Sequence, residues 1–397
     1  MIITLTRDIR LPDPVKLARY RRSPELGPKL LFFSGGSALK DACAELIQYT
    51  HNSIHIITPF DSGGSSARLR EAFQMPAIGD VRNRLLALAD RSLHGYPEIF
   101  ELFACRFPRD GDPAALQAEM DEMIRGHHPL VAGIPDPMRK IIRHYLQRFK
   151  EFMPREFDLR KASIGNLILT AGYLDNRRNF DTIIYIFSKL VQVRGVVRPV
   201  VNKYLHLAAD LASGERIVGQ HRMTGKEASP LTSQITDLWL ARDRENPSPV
   251  TVPIRQKMAD LIDEADLICY PVGSFYSSII ANLLPRGVGG AVAGSRCPKV
   301  FVPNTGAGDP EAVGMEIMDQ IEGLVSFLVR DDPAAISARD VLNFVLVDQA
   351  RGDYRGKLDR ERLTQMGIDV IDTALVSENS HPLIDAKLLV PVLLSLA

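Results

Sequence analysis

Glycines, serines and isolated carboxylates gather at the ends of apolar runs in this chain, a pattern that suits the binding of a phosphate ester. The apolar run at residues 30–33 ends in Ser34-Gly35-Gly36-Ser37, and a second at 54–58 leads into Phe60-Asp61-Ser62-Gly63-Gly64-Ser65-Ser66-Ala67-Arg68. Glycine lets backbone N–H groups approach a phosphate, serine hydroxyls add donors, and a helix opening behind the loop favours negative charge. Three more turns share this character: Ser163-Ile164-Gly165-Asn166, Gly273-Ser274 and Asn304-Thr305-Gly306. Any one of them is also what a serine-capped tight turn looks like; five together point to a site. Arg68 and Arg82 are placed to add charge-assisted hydrogen bonds.

Asp61 ends an apolar strand and should point into the resulting crevice. It could hold Mg²⁺ between protein and diphosphate, accept a proton from an attacking hydroxyl, or simply cap the next helix. Asp80, after Gly79, is a similar candidate, and Asn166 and Asn304 could read a ligand's polar edge or bind their own loops. Neither GxGxxG nor GxxxxGK[ST] is present, which argues against a nicotinamide dehydrogenase or a P-loop ATPase. No GxSxG elbow occurs, and no histidine lies in a strand-end turn that would serve a serine nucleophile. His51 and His55 read as structural, and the adjacent His127 and His128 as poor convergent metal ligands.

These loops need strands to deliver them. Residues 30–58 read as strand, helix, strand, with Leu39, Ala42, Cys43, Leu46 and Ile47 on one helical stripe. Residues 100–160 lack a strand-like run and carry amphipathic segments at 114–124 and 138–152, hence a helical insertion. A helix is expected at 181–193, and short strands at 196–201, 205–210 and 215–220, the last two joined at Ser213-Gly214, form an antiparallel elaboration. A helix at 258–264, strands at 266–270, 299–303, 341–348 and 370–375, and a closing helix at 387–396 complete the pattern. Residues 1–28, with an apolar stretch at 2–5, read as an extension packed loosely on one domain spanning 29–397.

Composition narrows the partners. The chain has 397 residues, 48 basic against 48 acidic, and 45% hydrophobic content. That balance predicts no nucleic-acid partner, and no apolar run is long enough to predict a membrane span. Four scattered cysteines without a CxxC pair, and an N-terminus unlike a secretory signal, suggest a reducing, cytoplasmic setting.

Several stretches, SGGSALK, FDSGGSSARLREAFQMPAIGDVRNRLLALA, SIGNLIL, RGVVRPV, EADLICYPVGSFYSSIIANLL and KVFVPN, resemble in order the signatures of the 2-phospho-L-lactate transferase (CofD-like) family. The likeness is nearer to its gluconeogenesis-factor branch, with its GGTGL, DDGGSSGRLR, GDxRNCLxALA and SxGNLxL patterns. The resemblance implies a Rossmann-like three-layer α/β/α fold with a mainly parallel sheet, usually dimeric. In the transferase branch it implies transfer of a phospholactyl group from a guanylyl-diphospho donor to a deazaflavin hydroxyl, with Mg²⁺. In the other branch it implies binding of nucleotide sugars such as UDP-N-acetylglucosamine and a regulatory role. By position, Gly35, Gly36 and Ser37 would line the diphosphate region, Asp61 would match the first acid of a pair, and Asn83, Ser163, Asn166, Gly273, Ser274 and Asn304 would match other crevice positions.

The chain departs from that pattern at Ala38, Arg84 and Val272, and above all at Ser62, which stands where the second acid would be. The expectation is therefore a crevice for a nucleotide diphosphate or nucleotide sugar. It would serve either a Mg²⁺-dependent transferase organised by Asp61 or a non-catalytic regulator.

Overall fold

The computed structural model describes residues 8–90, 96–225, 229–306 and 308–397; the apolar stretch at residues 2–5 lies outside them. After α1 (Pro14–Arg22) comes the expected unit of β1 (Leu30–Ser34), α2 (Lys40–Leu46) and β2 (Ile54–Ile57). α3 (Gly64–Phe73) and α4 (Gly79–Ala87) precede a helical excursion of α5 (Pro97–Ala104), α6 (Pro113–Arg125), α7 (Pro129–Ala132) and α8 (Met138–Phe152). α9 (Ile164–Asp175) and α10 (Phe180–Leu190) lead to β3 (Val196–Pro199). β4 (His206–Leu211), β5 (Arg216–Val218), α11 (Gln220–Met223) and β6 (Ile235–Ala241) follow, then α12 (Gln256–Asp263) and β7 (Leu267–Tyr270). A π-helical segment, Phe275–Ile280, runs into α13 (Ala281–Leu283), followed by α14 (Val288–Gly294) and β8 (Lys299–Phe301). α15 (Ile317–Val329), α16 (Ala338–Val341), β9 (Phe344–Val347), α17 (Arg360–Gln365), β10 (Asp369–Asp372) and α18 (Ala386–Leu396) complete the chain.

Seven strands form one sheet in the order β10-β9-β8-β7-β1-β2-β3, and every pairing within it is parallel. Parallel strands covered on both faces need continuous apolar runs, which is why LLFF, IHII and LICY become its centre. Their side chains alternate between two cores. Leu30, Phe32 and Cys269 join one, with α2, α4 and the helical excursion. Leu31, Phe33, Ile268 and Tyr270 join the other, with α12, α15 and the small sheet. That arrangement is the three-layer α/β/α fold.

Three expectations are corrected. Residues 196–199 belong to the main sheet, paired parallel to β2 at Val196 against Ile54, so the antiparallel elaboration begins only at β4. That elaboration holds β5-β4-β6, and β6 completes it where no strand was expected. Residue 341 ends α16, and the ninth strand starts at Phe344. The helical excursion is as expected: α8 buries Ile142, Tyr145, Leu146 and Phe149, one helical stripe, against α9, which is buried along almost its whole length. The extension is tied to the end of the chain, with the Asp13 N–H donating to Ser395 Oγ at 2.8 Å and Lys16 Nζ to the Ala397 carbonyl at 2.7 Å. Among the described residues, no helix is long and apolar enough to cross a membrane.

Candidate functional site: a crevice over buried arginines

From β1 the chain builds outward to β2 and β3, then returns to place β7, β8, β9 and β10 on the other side. β1 and β7 flank the point where strand order reverses, and open α/β sheets bind ligands there, beyond the strand carboxyl ends. A cavity of about 340 Å³ lies at this place, lined by Gly36 and Ser37 after β1, Asp61 and Gly63 after β2, and Ser274 after β7. The starts of α3 and α4, at Gly64 and Gly79, also face it, and the positive ends of their helix dipoles favour an anion there.

Beneath these loops lie three arginines. Arg84 has no exposed surface and donates to the Gly35 carbonyl at 2.7 Å, Ser34 Oγ at 3.2 Å and Cys43 Sγ at 2.7 Å. Arg70, 3% exposed, donates to the carbonyls of Phe60 at 2.8 Å, Asp61 at 2.9 Å and Leu205, which ties the acidic loop to the small sheet. Arg82, 4% exposed, donates to Ser163 Oγ and Asn83 Oδ1. Among the described residues none of the three forms an ion pair with a carboxylate; their hydrogen bonds go to neutral groups, while the nearby charges of Asp61 and Asp80 favour the charged forms of Arg70 and Arg82. Burial lowers Arg70 and Arg82 to about 10, so both stay protonated at neutral pH. A buried cation without an ion pair is costly; these three lie behind the loops and not in the cavity lining, Arg70 opening on a neighbouring recess, and together they make the floor beneath the loops positive.

Two carboxylates stand above that floor. Asp61 Oδ1 accepts from the Gly63 N–H at 3.0 Å, a local turn bond ahead of α3 and not a cap on the helix itself. Its Oδ2 faces Gly79, where a Cβ would lie 3.3 Å away. Asp80 lies against the first loop: a Cβ on Gly36 would fall 2.3 Å from Asp80 Oδ1 and 2.7 Å from its Cα. Only a residue without a side chain lets that loop come so close. Asn166, 1% exposed, lines the cavity with Nδ2 donating to Ser65 Oγ at 3.4 Å, while its buried Oδ1 has no partner among the described residues.

The expected residues divide into three groups. Gly36, Ser37, Asp61, Gly63, Gly64, Ser65, Asn83, Asn166 and Ser274 line the cavity together. Gly35, Arg82 and Ser163 lie beneath it as its support. Arg68, Gly273 and Asn304 lie elsewhere. Arg68 turns outward to an ion pair with Asp158 at 3.1 Å, pinning α3 to the segment that ends the helical excursion. Asn304 and Gly273 bond each other, with Oδ1 accepting from the Gly273 N–H at 2.9 Å and Nδ2 donating to its carbonyl at 2.6 Å. Asn304 thus ties the loop after β8 to the loop after β7 instead of binding its own loop.

Ser62 corrects the view that no histidine serves a strand-end serine. Its Oγ is hydrogen-bonded to His221 Nδ1 at 2.8 Å and accepts from the His221 backbone N–H at 3.2 Å. His221, on α11, faces the cavity with Gln220 and Thr224. Gly219, at φ +102°, brings the ring in: a Cβ there would lie 2.7 Å from His221 Cε1. Arg106, exposed at the start of the excursion, adds a cation to the cavity wall. Arg70, Arg84, Arg106 and His221 were all missed as site residues. Only Arg84 carried a signal, as a departure from the family pattern.

Fold and site define an open α/β protein with a cation-floored crevice at the switch point of its sheet. A family model described as 2-phospho-L-lactate transferase CofD matches residues 30–376, and the chain belongs to that family. A relative from Bacillus subtilis named gluconeogenesis factor is 27% identical over 88% of this chain and 92% of its own length. A relative from Nostoc is 28% identical over 87% of this chain, which spans 63% of that longer protein. A crystal structure of a UPF0052 family member from Bacillus halodurans superposes with a TM-score of 0.65 at 22% identity, covering 92% of this chain and 99% of that one.

Proposed function

We propose that the crevice binds a nucleotide diphosphate ester and transfers its phosphoester group to a hydroxyl acceptor with the help of Mg²⁺. The observation that carries this reading is the floor of three buried arginines without a carboxylate partner. Within the described protein Asp61 and Asp80 answer part of that charge at Arg70 and Arg82, and a ligand bearing several negative charges would offset more of it. Family membership supports a nucleotide-type ligand.

The residues present suit magnesium in one form. Asp61 and Asp80 both line the cavity, but no group of three or more metal-ligating side chains occurs among the described residues. That set fits an ion that completes its octahedron with phosphate oxygens and water, the usual arrangement for Mg²⁺. Bound there, it would neutralise charge developing on the phosphate oxygens. The glycine loops would hold the diphosphate, with Arg106 beside it. The acceptor oxygen bonds to phosphorus as the bond from phosphorus to the departing nucleotide breaks. Asp61 Oδ2 or the His221 ring, held by Ser62, takes the hydroxyl proton.

A second reading is a non-catalytic regulator that binds a nucleotide sugar. Ser62, in place of a second acid, and the name of the Bacillus subtilis relative favour it. A cytoplasmic homodimer belongs to either reading, and light scattering would return twice the chain mass. Phosphorus NMR separates the two. A transferase with Mg²⁺ and a hydroxyl acceptor releases nucleoside monophosphate from a guanylyl-diphospho or UDP-linked donor, and Asp61→Ala lowers the rate at least a hundredfold. Ligand that binds and is recovered intact supports the regulator.

A further inference from the structure

A second cavity, of about 330 Å³, shares no lining residue with the crevice. It lies past the end of β3, the edge strand of the main sheet, between the first turns of α10 and α12. Its floor is apolar, built from Phe180, Val200, Val201, Val252, Met258 and Leu261. Its volume falls at the small end of the range for small-molecule sites, which are typically about 300–1,000 Å³.

The rim has the opposite character. Arg198, Lys203, Arg255 and Lys257 face one carboxylate, Asp181. That carboxylate is shared, with Arg198 Nε at 3.4 Å and Lys257 Nζ at 3.3 Å. The side chains of Lys203 and Arg255 have no hydrogen bond or ion pair among the described residues. One acid for four cations leaves the rim strongly positive over an apolar floor. Neither half explains the other: a void in a core needs no cations, and a solvated basic surface needs no apolar recess.

We propose that this cavity is a binding site for a small apolar acid, a carboxylate or phosphate head on a short hydrocarbon or a single aromatic ring. The tail occupies the recess between Phe180, Val201 and Met258. The head meets Lys257 and Arg255 at the start of α12, with Arg198 behind them. The segment that lines the cavity at Val200 and Val201 continues to Leu205, whose carbonyl accepts from Arg70. Arg70 also holds the Asp61 carbonyl, so occupancy here bears on the piece of chain that anchors the acidic loop.

The test is calorimetric titration of the full chain with octanoate, octanol and acetate, octanoate being kept below its micellar range. Octanoate binds saturably at one site per chain, acetate shows no saturable binding, and octanol binds at least tenfold more weakly. Each methylene removed from octanoate weakens binding about fourfold, the equivalent of the roughly 0.8 kcal/mol of one buried CH₂. Arg255 and Lys257 are exposed, so Arg255→Glu and Lys257→Glu fold normally; each weakens octanoate at least tenfold and leaves octanol unchanged. Saturating UDP leaves the stoichiometry of octanoate at one per chain, since the two cavities share no lining residue and cannot compete directly. No saturable octanoate binding, octanol as tight as octanoate, or affinity untouched by both charge reversals would each overturn the assignment.

Discussion

The Arg84 guanidinium lies where no water reaches it, and its partners are a carbonyl, a hydroxyl and a thiol. An apolar residue of similar volume at this position would remove the cost of burying a charge but would take a donor from the Gly35 carbonyl and Ser34 Oγ, two effects of opposite sign. Arg84→Met should therefore shift the melting temperature of the unliganded protein only slightly, yet weaken binding of a nucleotide diphosphate at least tenfold in calorimetry. A large loss of stability with affinity retained would make Arg84 a structural tie alone. Gly36→Ala tests the loop above it. The new methyl would overlap the backbone and carboxylate of Asp80, so we expect a loss of about 1–3 kcal/mol in chemical denaturation, the usual cost of overpacking, with diphosphate binding lost as well. At this scale Asp61 and the glycines were legible because a strand end aims its next residues into the crevice. His221 was not, since its partner Ser62 lies 159 residues away in sequence and only the small sheet brings them together.

Among the elements, the π-helical segment after β7 presents Ser274 and Ser278 to the cavity. Its first turn is held by acids from the loop after β8. Asp309 accepts from the Phe275 N–H, and Glu311, with no exposed surface, accepts from the Ser277 N–H at 2.7 Å and from Ser277 Oγ at 2.5 Å. Burial, and then the nearby Asp309, push the Glu311 carboxyl up from 4.5 to about 8. Between those values the folded chain keeps a proton that the unfolded chain has released. The group's stabilisation is thus complete below about 4.5 and lost as pH rises toward 8. In Glu311→Gln the decline of melting temperature across that window should flatten; an unchanged slope would mean that other groups set it. The sequence pattern located most strands, since apolar runs ending in small residues are hard to mistake, but it gave no sign of α14. VGGAVAG is a poor helix former. It is helical because of its packing, where a Cβ on Gly289 would fall 1.9 Å from the Leu328 carbonyl oxygen, and that contact cannot be read from local preference.

For the whole molecule, the reversal of strand order around β1 gathers loops from residues 34–37, 61–66 and 271–274 at one place. The fold class and the convergence of glycine loops were legible because a parallel sheet puts all strand carboxyl ends on one side. The electropositive floor was not legible, because an arginine in a sequence looks the same whether it faces water or a core. The central claim is that this floor, with Asp61 and Asp80 above it, exists to hold a magnesium-bound diphosphate. The direct measurement is a calorimetric titration of the full chain with UDP and GDP, with and without Mg²⁺, repeated on Asp61→Ala and Asp80→Ala. Saturable, magnesium-strengthened binding that each substitution weakens at least tenfold is the predicted result. Absence of binding by either nucleotide, or affinity indifferent to magnesium and to both carboxylates, would contradict it.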